Sequence, residues 1–179
     1  MIKHIVIFIS TLIFCCNLYS KDFGTVTGFK IPRFVSLKSN DVNLRIGSST
    51  NYPIILKYIK KNYPVEVSKE YENWRKIKDI NGNEGWIHKT LIKGERFVII
   101  NNKENPQSLI YSKPEGKKIG QIGNLNIVKI ESCLAKWCKI NFGKYKGWIS
   151  KKKIWGIYDD ELIDVPFYQF IINQFWKLF

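Results

Sequence analysis

The feature that most limits what this chain can fold into is an internal repeat. NWRKIKDINGNEGWIHKTLIKG spans Asn73 to Gly94, and KWCKINFGKYKGWISKKKIWG spans Lys136 to Gly156. The first tryptophans of the copies, Trp74 and Trp137, lie 63 residues apart, and the second pair, Trp86 and Trp148, lie 62 apart. One residue is therefore lost in the turn between them. From the second Trp to the closing Gly the spacing is 8 in both copies. Self-similarity at a period of about 60 residues means one small unit built twice.

Within each copy the pattern is that of short strands. Apolar and polar residues alternate over brief runs punctuated by Gly, Asn and Pro, and few segments hold a helical period. The expected strands are Val42 to Ile46, Val65 to Ser68, Trp74 to Ile80, Gly85 to His88 and Arg96 to Ile100, then Ser108 to Tyr111, Ile127 to Glu131, Trp137 to Phe142 and Gly147 to Ser150. Asn81, Gly82 and Asn83 form a tight turn because Asn and Gly tolerate positive φ, and Gly143 to Tyr145 plays the same part in the second copy. The expected fold is all-β: two small β-barrels in tandem over 35–94 and 95–158, after a lead-in at 21–34.

The amino terminus, MIKHIVIFISTLIFCCNLYS, has one Lys, an apolar run from Ile5 to Cys16 and a polar stretch ending in Ser20. That is the pattern of a secretory signal peptide over residues 1–20. The apolar run would be about 18 Å long as a helix against a hydrocarbon core of roughly 30 Å, too short for a permanent span. Phe14 precedes Cys15 where a lipidation site needs a small residue, and soluble and lipid-anchored forms stay open. Export leaves only Cys133 and Cys138 of the four cysteines, in an oxidising space. At the two ends of a four-residue hairpin loop they are expected to form a disulfide. Their C-x4-C spacing is not the C-x-x-C of a redox-active pair.

The residues VNLRIGSSTNYPII at Val42 to Ile55, followed by V-x-V, W-x-x-I and G-W-I elements in order, resemble the bacterial SH3-like domain, specifically exported proteins with two such domains in tandem. The resemblance covers about Val35 to Tyr158. The second copy is degenerate at its start, where SLIYSKPEGKKIG lacks the Arg and the Gly-rich turn. The resemblance implies a non-catalytic module of the periplasm or cell envelope that binds peptidoglycan or an envelope peptide or protein. It also implies a ligand edge at Arg45, Asn51 and Tyr52, in the long loop beside the groove of such folds. Arg45 is equally open to an ion pair with Asp41 or Glu70.

Strand alternation gives an independent view of the aromatics, since residues two apart share a face. Trp74 shares a face with Lys76 and Lys78, and Trp137 with Lys139 and Asn141. Ile77, Ile140 and Phe142 fall on the opposite, buried face. Trp74, Lys76, Trp137 and Lys139 are thus candidate ligand-binding residues, a platform for a sugar ring or peptide. The other reading is that each Trp is covered by its own unit's first loop, for example by Tyr52 or Tyr111. Trp86 and Trp148, which follow a Gly at a strand start, read as structural.

The inventory argues against catalysis. Beyond the signal there is a single His, His88, and the two Cys are expected to bond to each other, which leaves neither a Cys-His pair nor a His-rich metal site. No G-x-S-x-G elbow, S-x-x-K box or phosphate loop occurs. We therefore expect no enzyme, no cofactor and no metal site.

The net charge of +14 comes from Lys+Arg 29 against Asp+Glu 15, and only four of the basic residues are Arg. Arg is the better bidentate ligand for phosphates and base edges, so nucleic acid is not the expected partner. Beyond Asp159 the chain turns acidic (Asp159, Asp160, Glu161, Asp164), and after Pro166 comes FYQFIINQFWKLF. This predicts a short amphipathic helix with Phe167, Phe170, Ile171 and Leu178 on one face. Such a helix docks on the barrels, lies in a membrane interface or engages a partner. The alternative to the wall-binding reading is accordingly a membrane-surface or assembly protein acting through this segment, with the acidic residues before it set against the basic barrels.

Overall fold

A computed structural model describes residues 23–165. The expected signal peptide and the expected helix carrying Phe167, Phe170, Ile171 and Leu178 lie outside the described residues. The described chain is all-β. The first repeat contains β1 (Arg33–Leu37), β2 (Val42–Arg45), β3 (Ile54–Tyr58), β4 (Pro64–Tyr71), β5 (Trp74–Lys78), β6 (Glu84–His88) and β7 (Ile92–Lys93). The second contains β8 (Phe97–Ile100), β9 (Gln107–Tyr111), β10 (Lys118–Gly123), β11 (Ile127–Cys133), β12 (Trp137–Phe142), β13 (Tyr145–Ser150) and β14 (Ile154–Trp155). A single 3-10 turn precedes the last strand of each, at Lys89–Leu91 and Lys151–Lys153.

The two sheets have the same strand order. In the first it is β3-β2-β6-β5-β4-β1-β7, and in the second β10-β9-β13-β12-β11-β8-β14, so every strand has a counterpart seven further on. Even the irregularities repeat: the register slips between Val67 and Lys69 in one copy and between Ile130 and Ser132 in the other. The lost turn residue shows as well, with Asp79 and Asn83 closing one hairpin and Phe142 and Tyr145 the other. Gly82 and Gly143 take φ of +85° and +62° at these turns, the left-handed region that Gly reaches without steric cost.

Each repeat wraps its own core. Leu37, Val42, Leu44, Val65, Val67, Ile77 and Ile87 are fully buried in the first. Val98, Ile100, Val128, Cys133, Cys138, Ile140 and Ile149 form the centre of the second. The disulfide is present, between Cys133 at the end of β11 and Cys138 in β12, which face one another in register.

Three long strands escape the sequence pattern. Strand β1 is buried at four successive residues, Phe34 to Leu37, because one face meets its own core and the other meets the second repeat. A strand covered on both sides shows no alternation. Strands β3 and β10 are edge strands with mostly exposed residues, and β10 contains two glycines, so neither carries the half-buried signature. The short β7 and β14 are two residues each. Phe142 departs from expectation: it is 47% exposed, because the mouth of the second repeat is open where the counterpart in the first is plugged.

The repeats are joined through an aromatic seam. Phe34 of β1 meets Trp155 of β14 edge to face, centroids 5.1 Å apart, and Tyr158 at 4.8 Å. The Tyr158 hydroxyl donates to Glu66 Oε1 at 2.6 Å, and Phe97 N donates to Ser36 Oγ at 3.2 Å. Burial and the Glu66 carboxylate push the Tyr158 phenol well above its ordinary pKa. The acidic stretch after the second repeat folds back onto it. Glu161 pairs with Arg96, the buried Lys151 ammonium donates to the carbonyls of Asp159 and Glu161, and Ile163 forms a bridge with Cys133.

The lead-in is fixed as well. Residues Phe23 to Lys30 form a small hairpin whose turn caps a buried carboxylate, Glu70. Glu70 accepts from Val26 N, Thr27 N and Thr27 Oγ1, and it pairs with Arg33 at 2.8 Å and Arg75 at 3.4 Å. Burial alone would raise its pKa, but the donors from Thr27, Arg33 and Val26 outweigh it and hold it down at about 2.

Candidate functional site

The candidate site lies on the second repeat, where β12 begins beside β9. The alternation of β12 puts Cys138 and Ile140 inward and leaves Trp137 half-buried on the outer side. Tyr111, at the end of β9, packs edge-on against the Trp137 ring with centroids 5.2 Å apart and an interplanar angle of 80°. The two rings form one wall of a groove of about 510 Å³.

The opposite wall is the loop from Asn102 to Gln107, and it is built rather than slack. The Asn102 side chain is tied down: its Nδ2 donates to Gln107 O at 2.9 Å, and its Oδ1 accepts from Glu104 N and from Lys153 Nζ at 3.0 Å. Asn124 clamps the loop from below, accepting from Asn102 N and donating to Asn102 O and Asn105 O. Lys153 completes the rim by pairing with Glu104. On the floor, Ser108 is 2% exposed, and its hydroxyl has no hydrogen-bond partner among the described residues. The groove therefore combines aromatic faces with fixed amides and an ion pair. Stacking an apolar face while hydrogen-bonding polar edges is the chemistry that sugar rings and peptide groups share.

The first repeat carries the counterpart in another form. Trp74 is half-buried and meets His88 edge-on, centroids 5.4 Å apart, across the β5–β6 pair. His88 Nδ1 in turn contacts Thr90 Oγ1 at 2.8 Å. The Tyr52 ring lies over Gly47, where a Cβ would come within 2.5 Å of it. Arg45 donates from Nη1 to Tyr52 O at 2.7 Å, so it braces the loop. It does not make the ion pair open to it from sequence: Asp41 pairs with Lys57, and Glu70 with Arg33 and Arg75. Asn51 is exposed, and its backbone N donates to Ser49 Oγ. Arg45 and Tyr52 are thus brought together with Asn51 in one loop.

The lysines beside the two tryptophans are both engaged. Lys76 pairs with Glu84 at 2.8 Å, and Lys139 approaches Glu131 at 3.6 Å. Exposed pairs of this kind contribute little to stability, and they lessen the positive field next to each indole. Trp86 and Trp148 stand opposite Arg45 and Tyr111 in register. Sequence reasoning named Trp137 and considered Tyr111 as its cover, but it missed Asn102, Ser108 and Lys153. These converge only through the β8–β9 loop and the turn before β14, a proximity that no local spacing records.

This is the SH3-like class of β-domain, present twice. The family model for the bacterial SH3 domain matches residues 38–94 and 126–156, one stretch in each repeat. No curated protein matches the chain. Among solved structures it is similar to NlpC1 from Trichomonas vaginalis, at 16% identity over 74% of this chain and 49% of that one, with a TM-score of 0.30. It is also similar to NlpC2 from the same organism, at 16% identity over 69% of this chain and 47% of that one, TM-score 0.30. The chain spans about half the length of those two proteins, and at that score the likeness carries no argument about function.

Proposed function

We propose that this chain is a non-catalytic binding module of the cell envelope whose second repeat holds peptidoglycan in the groove between Trp137 and the loop Asn102 to Gln107. The observation that carries this reading is the Trp137–Tyr111 wall facing a fixed polar loop over a cavity of about 510 Å³. The aromatic faces supply stacking area, and the side-chain amide of Gln107 lies within the lining for hydrogen bonds to hydroxyl or peptide groups. The match to the bacterial SH3 domain model supports a cell-wall ligand, and the Cys133–Cys138 disulfide is compatible with an exported protein. The cysteines are consumed by that bond, and His88 is engaged by Trp74 and Thr90, which favours binding over catalysis.

Retention of the protein on purified murein sacculi tests the proposal. The expected result is sedimentation with the sacculi that Trp137→Ala reduces by about tenfold in affinity and Trp86→Phe leaves unchanged. Absence of retention, or retention indifferent to Trp137, overturns it.

A further inference from the structure

The duplication allows one end of the two repeats to be compared position by position. In the first repeat the mouth between β3 and the β5–β6 turn is closed by polar side chains. Tyr58, opposite Val42, donates from its hydroxyl to Asp79 Oδ2 at 3.2 Å. The Asp79 carboxylate, 3% exposed, also accepts from Asn81 N, Asn83 N and Asn83 Nδ2. In the second repeat the same two positions carry Ile122, opposite Ser108, and Phe142, which begins the shortened turn. The plug is gone. In its place is an apolar pocket of about 360 Å³ lined by Ile110, Ile119, Ile122, Ile140, Phe142 and Tyr145.

The pocket adjoins an open strand edge. Among the described residues β10 is the outermost strand of its sheet and pairs only with β9. Four successive β10 residues, Ile119 to Ile122, line the pocket. The register of β10 slips between Lys118 and Gly120, which brings Ile119 in beside Ile110 over Gly147, so the pocket lies on the concave side of the strand next to its outer edge. At Gly120 a Cβ would meet nothing within 4 Å, which leaves the backbone approachable. Large apolar groups stay exposed beside it: Ile119 at 53%, Phe142 at 47% and Tyr145 at 68%. Lys146 lines the pocket, and Lys118 and Lys144, next in sequence to the lining residues Ile119 and Tyr145, are exposed. Lys146 pairs with Glu131, while Lys118 and Lys144 form no ion pair among the described residues.

We propose that an extended acidic peptide binds here by adding a strand to β10, with an apolar side chain entering between Ile122, Ile140, Phe142 and Tyr145. An unpaired strand edge offers backbone donors and acceptors to a partner strand, and a pocket beside it selects one side chain in alternate positions. Carboxylates on the peptide meet the two free lysines. This site adjoins the Trp137 groove, with Gln121 lining both, and does not depend on the wall-binding reading.

A synthetic peptide of about eight residues that alternates Glu with Val and has one central Phe is the probe. Titrated into the full chain and followed by amide NMR, it should shift the signals of Ile119 to Ile122 and slow hydrogen exchange along β10. The double variant Phe142→Ser with Tyr145→Ala, at two exposed positions, should weaken binding by at least about tenfold while its remaining spectrum stays folded. A peptide with Lys in place of Glu should bind more weakly. No binding, shifts confined to other strands, or affinity indifferent to the double variant overturns the proposal, and so does equal affinity for the Lys peptide. If the chain ending at Val165 binds the probe and the full chain does not, the occupant is the protein's own terminal segment, and a foreign partner is excluded.

Discussion

Phe34 and Trp155 meet edge to face across the seam, one ring from the first strand of the first repeat and the other from the last strand of the second. Phe34 also packs, tilted, against Tyr158 and lies under the Arg96 guanidinium, so this ring lies at the centre of the seam between the two repeats. Truncation to Phe34→Ala should cost about 3 kcal/mol, the usual range for a buried aromatic. It should also separate the unfolding of the two repeats. Differential scanning calorimetry would show one transition in the parent and two in the variant. A single transition at nearly unchanged temperature would mean that the seam does not couple them.

Glu70 sets the acid limit of the first repeat. Its folded pKa, about 2, lies below the ordinary 4.5, so near pH 3 the unfolded chain binds a proton that the native one does not. Stability from this group is therefore complete above about pH 5 and is lost as the pH falls toward 2, a contribution of order 3 kcal/mol. Glu70→Gln should flatten that acid limb in urea titrations. It should also destabilise the protein at neutral pH by about 3 kcal/mol, since it leaves Arg75 buried without its partner. An acid limb of the same slope in the variant would place the titration elsewhere.

The disulfide closes a loop of only a few residues. In the chain-entropy model such a closure stabilises by about 2 kcal/mol. Paired Cys133→Ser and Cys138→Ser should lower the unfolding free energy by about that amount, mainly in the second repeat, because both sulfurs sit in its core. Equal stability with and without the bond would show that residual structure in the unfolded chain already holds the hairpin.

The duplicated strands were legible because Trp74, Trp86, Trp137 and Trp148 fix a spacing that the folded sheets reproduce strand for strand. The burial of Ile77 and Ile140 followed from the period of two. Phe142 obeyed the same parity yet stayed exposed, since parity gives a face and not what covers it; the cover in the first repeat is Tyr58 with Asp79, 21 residues apart in sequence. Glu70 was open to sequence only as a partner for Arg45, and the hairpin that actually meets it lies more than 40 residues away. The groove was half visible: the indole could be placed on an outer face, but Asn102, Ser108 and Lys153 reach it through long-range packing.

The most direct measurement of the central claim is a titration of the labelled protein with soluble muropeptides, read at the indole Nε1–H of each tryptophan and at the amides of the Asn102 loop. The account predicts saturable shifts at Trp137, Tyr111, Asn102 and Ser108, with Trp86 and Trp148 unmoved, and their loss in Trp137→Ala. Titration to saturation with no change in the groove, or shifts that persist in the variant, would contradict it.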